Sequence, residues 1–440
     1  MKLGLIAMSG IRAHNLELMA LGLTLPGVVD RSRVIASLPS LGLLTIAALT
    51  PSNIEIRYIE VPDLARIEGV PEEFEVVAIS SFTAQIKDAY ALADRYRALG
   101  TTVILGGLHV TALPEEALAH ADALVLGEGE SAWPEVINDL LTFGEVRQRM
   151  YDGRRLNFNL SHAPVPRYEL LDISLYNRLT VQTQRGCPFR CEFCAASLQI
   201  SPLYKVKPVA KVITEIEAIK SLWACPFIEL ADDNTFVNKA HSKQLVRQVA
   251  RQKIRWFTET DLSVARDPEL LALLRDSGCK QLLIGFESTT LQGLNGLEQR
   301  SNWKADQLEF YFEAIERIQR LGISVNGCFV LGLDGTDLES FDQVWNFVQH
   351  SGLHEVQITV QTAFPGTPLY RRLKQEDRIL RDGAWELCTL FDVNFQPMNM
   401  TVSEVESGFR ELVKKLYSKK AMRERNWAFY ERARLVSRDC

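Results

Sequence analysis

The chain reads as an α/β protein built from two parallel-sheet units in series and closed by a small helical cap. The first unit is a doubly wound sheet over residues 1–150, and the second an open, partial (β/α)6 barrel over residues 176–375. Three observations predict this. Short apolar runs alternate with helix-length stretches along most of the chain, a Gly-, Ser- or Asp-rich segment follows nearly every run, and a cysteine-rich loop follows the first short run of the second series. Such alternation implies right-handed crossovers and parallel sheets. Ligands of these sheets bind beyond the carboxyl ends of the strands.

Length and composition set bounds. At 440 residues the chain accommodates two domains and a tail, and its 47% hydrophobic and 24% charged content is that of a globular protein. A formal charge of −6 argues against a general nucleic-acid binder, which needs a basic surface. Eight cysteines are too few and too scattered for a disulfide framework, so Cys225, Cys279, Cys328, Cys388 and Cys440 are expected to be reduced. The opening Met1–Met8 run is too short for a signal peptide, and no apolar run approaches the roughly 20 residues that span a bilayer. The expected setting is the cytoplasm, with at most peripheral membrane contact.

In the first unit, Leu3–Met8, Ile54–Val61, Val76–Ile79, Val103–Leu105 and Ala123–Leu126 read as strands. Leu41–Leu49 and Ala84–Leu99 read as helices, the former stopped by Thr50-Pro51. The strand ends run into Ser80-Ser81-Phe82-Thr83, into Gly106-Gly107-Leu108-His109 and into Gly127-Glu128-Gly129-Glu130. Glycines let backbone approach a ligand closely, and small hydroxyls add hydrogen bonds without bulk.

A linker over 151–175 precedes Leu179–Thr183, a short strand that ends at Arg185-Gly186-Cys187-Pro188-Phe189-Arg190-Cys191-Glu192-Phe193-Cys194. The C-x3-C-x2-C spacing supplies three thiolates, one short of a closed four-cysteine site. A zinc site would need a fourth ligand, and the nearest candidates, His162 and Cys225, lack ligand spacing. Buried structural thiols are the other alternative, against which the Gly-, Pro- and Arg-rich run reads as a loop.

Strand–helix units follow. Phe227–Leu230 ends in Asp232-Asp233-Asn234, and Arg255–Phe257 in Thr258-Glu259-Thr260. Gln281–Ile284 ends in Gly285-Phe286-Glu287, Ile323–Leu331 in Gly332, and Glu355–Val360 in Gln361-Thr362. Polar residues thus gather where barrel sites are built. In the tail over 376–440, Thr401–Leu416 reads as a capped helix, and Lys414, Lys415, Lys419, Lys420, Arg423 and Arg425 make a basic end.

The cysteine run and the barrel units together resemble the radical S-adenosylmethionine (SAM) superfamily. The first unit resembles the flavodoxin- or Rossmann-like cobalamin-binding domain of one class in it. The resemblance implies a [4Fe–4S] cluster held by Cys187, Cys191 and Cys194, whose open iron takes SAM and cleaves it to a 5′-deoxyadenosyl radical. It implies Phe193 near the adenine, and Asp232, Asp233, Thr258, Glu259, Glu287, Gly327 and Gly332 on the SAM or substrate side. On the cobalamin side it implies Ser81, Thr83, Gly106, Gly107, His109, Gly127 and Glu128. Cobalamin domains that ligate through histidine carry Asp-x-His-x-x-Gly after the first strand, where this chain has Arg12, His14 and Glu17. Cobalamin would therefore be held base-off, without a protein histidine; a domain that keeps the fold and holds no corrin is the alternative.

The tail resembles the C-terminal extensions of hopanoid-type relatives and would act as a substrate lid. The implied reaction is methyl transfer to an unactivated carbon of a small-molecule or lipid substrate, with a reductant such as flavodoxin or ferredoxin. A radical cyclase or rearrangement enzyme and a non-enzymatic iron–sulfur redox protein are the rival expectations.

Overall fold

The computed structural model describes residues 1–9, 38–195 and 203–438. The loop with Arg12, His14 and Glu17, and the terminal Cys440, lie outside the described residues.

The first sheet is wholly parallel in the order β2-β1-β3-β4-β5-β6, with β1 Lys2–Met8, β2 Glu55–Glu60, β3 Val76–Ser81, β4 Thr102–Gly106, β5 Ala123–Leu126 and β6 Met150–Asp152. Strand order reverses between β1 and β3, which makes their carboxyl ends the switch point of a doubly wound fold. The central strands β1, β3, β4 and β5 are apolar on both faces because both are covered. α1 (Leu41–Ala48) and α3 (Gly129–Phe143) bury Leu43, Ala47, Trp133 and Val136 against Leu5, Ala78, Ile104 and Val125. α2 (Ile86–Ala98) buries Ala89, Leu92, Ala93 and Tyr96 on the other face, against Ile6, Val77, Ile79 and Val103. β6 is an element that the sequence pattern did not reveal, and the expected boundary at residue 150 falls inside it. Its three residues form a strand by pairing with Leu124–Leu126, a tertiary choice with no local signature.

The second sheet is also wholly parallel, in the order β12-β11-β10-β9-β8-β7. Its strands are β7 Leu179–Val181, β8 Phe227–Leu230, β9 Arg255–Thr260, β10 Cys279–Glu287, β11 Ser324–Leu331 and β12 Glu355–Val360. Between them run α4 Val209–Leu222, α5 Lys239–Gln252, α6 Pro268–Asp276, α7 Tyr311–Gln319 and α8 Glu339–Ser351. The helices bury one strand face in the largest core, around Trp256, Leu282, Phe286, Phe329 and Ile358. The opposite face is the concave interior of a six-stranded, unclosed barrel. Its amino-terminal end is plugged by a chain of hydrogen bonds from Gln281 to Ser324 (3.4 Å) and from Ser324 to His354 (2.7 Å).

Two expected strand ends shift. β9 runs through Thr260 and β10 through Glu287, so Thr258, Glu259 and Glu287 are strand residues, not loop residues. A strand alternates its faces, so this decides which of them look inward.

The tail divides in two. From Ala363 through α9 (Pro368–Gln375) to about residue 400 the chain turns back to the first domain, where Ala363, Leu369, Trp385 and Phe395 join the core under α2. α10 (Val402–Leu416), opened by a Thr401–Glu404 capping box, packs Val405, Phe409 and Leu412 into the barrel core beside α8, and α11 (Lys419–Arg438) follows. Two distant parts of the chain therefore share one hydrophobic core. Trp385 is 7% exposed and its indole nitrogen donates to Glu116. Trp385→Ala should destabilise the chain by about 3–5 kcal/mol in denaturant titration, the usual cost of deleting a buried indole.

Candidate active site: thiol loop, barrel mouth and adjoining cavity

The thiol loop leaves β7 through Thr183-Gln184, and a buried carboxylate sets its path. Asp232 accepts from the Thr183 amide (2.7 Å), the Thr183 hydroxyl (2.5 Å), the Gln184 amide (3.0 Å) and the Thr235 hydroxyl (3.0 Å). Burial pushes its carboxyl up to about 6, against the pull of those donors. Asp232 is thus a support for the loop and does not face a ligand. Thr258 likewise faces the helices: its hydroxyl bonds Thr235 (2.5 Å) and the Leu230 carbonyl (3.0 Å). Both correct the expectation that they contact SAM or substrate.

Gly186 (φ 78°) and Arg190 (φ 50°) turn the loop through left-handed backbone. Its far side is stitched to residues 297–299 by Glu192 N–H to Leu297 O (2.8 Å) and Gln299 N–H to Arg190 O (3.3 Å), while Phe189 stacks on Trp303 with centroids 4.8 Å apart. Cys187, Cys191 and Cys194 form no disulfide and are partly exposed. Among the described residues no three His, Cys, Asp or Glu side chains converge as a cage for one ion. A cubane binds each thiolate at a different iron, so its ligands surround a space and need not meet at a point. The soft, three-thiol donor set fits iron–sulfur and leaves a corner open. Burial, together with repulsion from Cys194 and Asp233, pushes the Cys187 thiol up to about 11, and burial pushes Cys191 up as well. Loading iron here must displace protons. Phe193 is half-buried and touches both the barrel core and the core shared with the first domain.

Across the mouth, Glu287 takes φ 62°, a left-handed conformation rare for a non-glycine residue and costing about 1–3 kcal/mol. Lys304 holds it there: the ammonium donates to Glu287 Oε1 (2.8 Å) and to the Gly285 carbonyl (3.0 Å). The Lys304 backbone amide donates to Glu298 (3.1 Å), whose other carboxylate oxygen is buried with no hydrogen-bond partner among the described residues. Desolvation opposes the Lys304 charge, but Glu287 and Cys191 outweigh it and raise its affinity for the proton. Neither Lys304 nor Glu298 stood out in the sequence, because both lie in an unpatterned stretch between β10 and α7.

Glu229 and Glu259 face the interior, and Asp233 lies at its exposed mouth. Glu229 is paired with buried Arg178 (2.5 Å), whereas Asp233 and Glu259 have no ion-pair partner among the described residues. Burial, then repulsion from Glu229 and Asp233, pushes Glu259 up to about 8. Desolvation raises Asp233 too, against the Gly186 amide. Gly327 is a packing position, not a site position: a Cβ there would come within 2.6 Å of Leu353 and 3.1 Å of Phe286 on the helix side. Gly332 (φ 81°) makes the turn after β11.

On the first domain, a cavity of about 260 Å3 opens at the carboxyl ends of β3, β4 and β5, between the sheet and α1. Ile46, Ala78, Ile104, Val125 and Trp133 make it apolar, and Ser80, Gly106, Gly107, Gly127 and Glu128 form its rim. Gly107 (φ 111°) and Gly127 (φ 71°) need glycine, and a Cβ on Gly127 would sit 2.7 Å from Arg154. An apolar slot with an exposed backbone rim fits the nucleotide end of a corrinoid. Ser81 and Thr83 lie outside the lining; Ser80 holds the place expected of Ser81. His109 also turns away. Its ring is buried between Tyr90 and Trp385, with Nε2 3.2 Å from Glu116. Thr111 connects the rim loops instead, accepting from the Gly127 amide (3.0 Å).

Cavity and thiol loop share a wall. Arg185, two residues before Cys187, reaches Glu128 (3.1 Å) and Glu130, and Lys205 clasps both oxygens of Glu128 (2.8 and 2.7 Å). Glu128 therefore meets cations of the barrel unit from its place in the cavity rim. Burial opposes the Glu130 charge, yet Arg185 overrides it and holds the carboxyl below the usual range.

The B12 binding domain pattern matches residues 29–137, the Radical SAM superfamily pattern 181–348, and a domain of unknown function, DUF4070, 367–438. The chain is 25% identical over 425 residues to bacteriochlorophyllide d C-12(1)-methyltransferase of Chlorobaculum tepidum, covering 92% of this chain and 88% of that one. It is 28% identical over 362 residues to hopanoid C-2 methylase of Rhodopseudomonas palustris, covering 79% and 67%. Its fold matches that of TsrM from Kitasatospora setae, solved with tryptophan and a SAM analogue (TM-score 0.65, 16% identity, 93% and 83% covered). It also matches OxsB, solved with aqua-cobalamin and SAM (TM-score 0.66, 14% identity, 98% and 72% covered).

Two outcomes follow from the charges. Arg185→Met leaves Glu130 buried with only the field of Lys207, and should cost about 3–5 kcal/mol in denaturant titration; adding Glu130→Gln should restore much of it. Glu259 has a folded-state pKa above its ordinary 4.5, so from about pH 4.5 to 8 the folded chain keeps a proton that the unfolded chain has lost. Its contribution to stability is present below that window and is lost as pH rises through it. The midpoint of the metal-free wild type should fall more between pH 5 and 8 than that of Glu259→Gln.

Proposed function

We propose that this chain, a member of the radical SAM superfamily that carries a B12-binding domain, is a cobalamin-dependent C-methyltransferase acting on an unactivated carbon of a small-molecule or lipid substrate. The observation that carries the reading is the shared wall: Arg185 joins the thiol loop to the rim of the cavity on the first domain. When bound, the cluster supplies the electron that cleaves SAM, and cobalamin supplies a carrier for the methyl group.

The residues around these groups bind, orient and exclude water. Cys187, Cys191 and Cys194 each bind one iron. Asp233 and Glu259 offer acceptors to the ammonium and hydroxyl groups of a sulfonium co-substrate at the barrel mouth. Lys304 neutralises Glu287, and Phe227 stacked on Phe257 (5.4 Å) keeps the interior floor dry. Gly106, Gly107 and Gly127 admit the corrinoid by backbone, and Ile46, Ile104 and Trp133 receive its nucleotide end. The tail closes the assembly as a fixed wall. An external one-electron reductant such as flavodoxin or ferredoxin and a reducing cytoplasmic setting complete the reading.

Ring formation is the second reading, favoured by 23% identity over 353 residues to the anaerobic magnesium-protoporphyrin IX monomethyl ester cyclase of Cereibacter sphaeroides, of which the chain covers 56%. Product counts after anaerobic reconstitution separate the two. Methyl transfer yields S-adenosylhomocysteine and 5′-deoxyadenosine, whereas cyclisation yields only the latter. Cys191→Ala should lose both the brown chromophore and SAM cleavage; if it keeps them, the thiol loop is not the cluster site.

A further inference from the structure

Helix α11 is built inside out. It turns Arg425 inward, where the guanidinium donates to the Leu416 carbonyl (2.8 Å) and the His354 carbonyl (3.2 Å). Phe429 lies beside it, stacked on His354 at 4.1 Å. Trp427 and Tyr430 face out, 70% and 59% exposed. Trp427 makes no ring or hydrogen-bond contact among the described residues.

Lys420, Arg423, Trp427 and Tyr430 recur at spacings of three and four, so they form one stripe along the outer side. Lys420 is 86% exposed, with Glu424 3.9 Å from its ammonium. Across α11 seven basic residues stand against two acidic ones, in a chain whose net charge is −6. Positive charge is concentrated on this helix against the sign of the whole molecule. No helix among the described residues is long and apolar enough to cross a membrane.

We propose that the outer stripe of α11 docks the protein on an anionic lipid bilayer. Tryptophan and tyrosine have an apolar body and a polar edge, which suits the headgroup boundary, and flanking cations are drawn to anionic lipid. Lysine and arginine stems extend along the same boundary while their charges stay in water. The anchor residue His354 stands at the amino-terminal end of β12, whereas the thiol loop leaves the carboxyl end of β7. Docking through α11 therefore leaves the barrel mouth turned to solution, and neither depends on nor demands a lipid substrate.

The full-length chain is to be sedimented with vesicles of phosphatidylcholine and phosphatidylglycerol, and with vesicles of phosphatidylcholine alone, at about 0.1 M and 0.5 M salt. Two double variants at exposed positions accompany it, Trp427→Ser with Tyr430→Ser and Lys420→Glu with Arg423→Glu, each checked for an unchanged melting temperature. Binding to the anionic vesicles that weakens with salt and falls at least about tenfold in each double variant supports the proposal. Absence of binding, equal binding to neutral vesicles, or binding that survives both double variants overturns it. So does self-association that the same variants abolish and anionic vesicles do not displace, since the stripe then covers a second copy of the chain.

Discussion

Arg185 sits where the two halves of the molecule must agree. It ends the short strand that launches the thiol loop, and its guanidinium lies between two buried carboxylates of the other domain. Such a contact is costly to desolvate and costly to break, because each partner left alone would be a charge without solvent. The loop therefore cannot drift from the cavity rim without opening a buried ion network. Lys205 reinforces the constraint, since the two-residue ladder pairing Arg185 with Lys205 brings both cations to the same carboxylates. The spacing of the thiol loop and the first-domain cavity is thus held by largely buried charges.

Much of this architecture could be read from the chain because it depends on local patterns. Apolar runs bounded by glycine and aspartate mark strands, and a thiol run after the first short strand of the second series marks the loop at the barrel mouth. What could not be read depends on register. Once β9 is seen to continue to Thr260, alternation turns Thr258 toward the helices and Glu259 toward the interior, and treating those residues as a loop hides that difference. Asp232 and Asp233 are adjacent, yet one braces the loop and the other opens onto the mouth. His109 lies in a glycine-rich strand end that suggests a ligand, but Trp385, 276 positions further along, supplies the partner that turns it away. Lys304 and Glu298 were invisible for the same reason, since their roles exist only after folding brings the 297–304 stretch against the thiol loop.

Glu287 shows how the mouth keeps a strained residue. A left-handed glutamate at a strand end persists only if its surroundings over-determine it. Here a buried ammonium fastens both its carboxylate and the carbonyl two residues earlier. The lysine is itself kept charged by the acid it fastens. Strain and charge stabilise each other, which lets a polar group be presented at a fixed angle without a glycine.

The core under α2 has a consequence for how this architecture can be cut and recombined. Ala363, Leu369, Trp385 and Phe395 complete the hydrophobic face of the first domain, although the whole barrel intervenes in sequence. A fragment ending near residue 150 would expose that face to water, and a chimera exchanging only the amino-terminal third would meet a foreign wedge. The transplantable module is discontinuous, the leading third together with the returning segment, so grafting one without the other breaks a surface that the chain assembled from both.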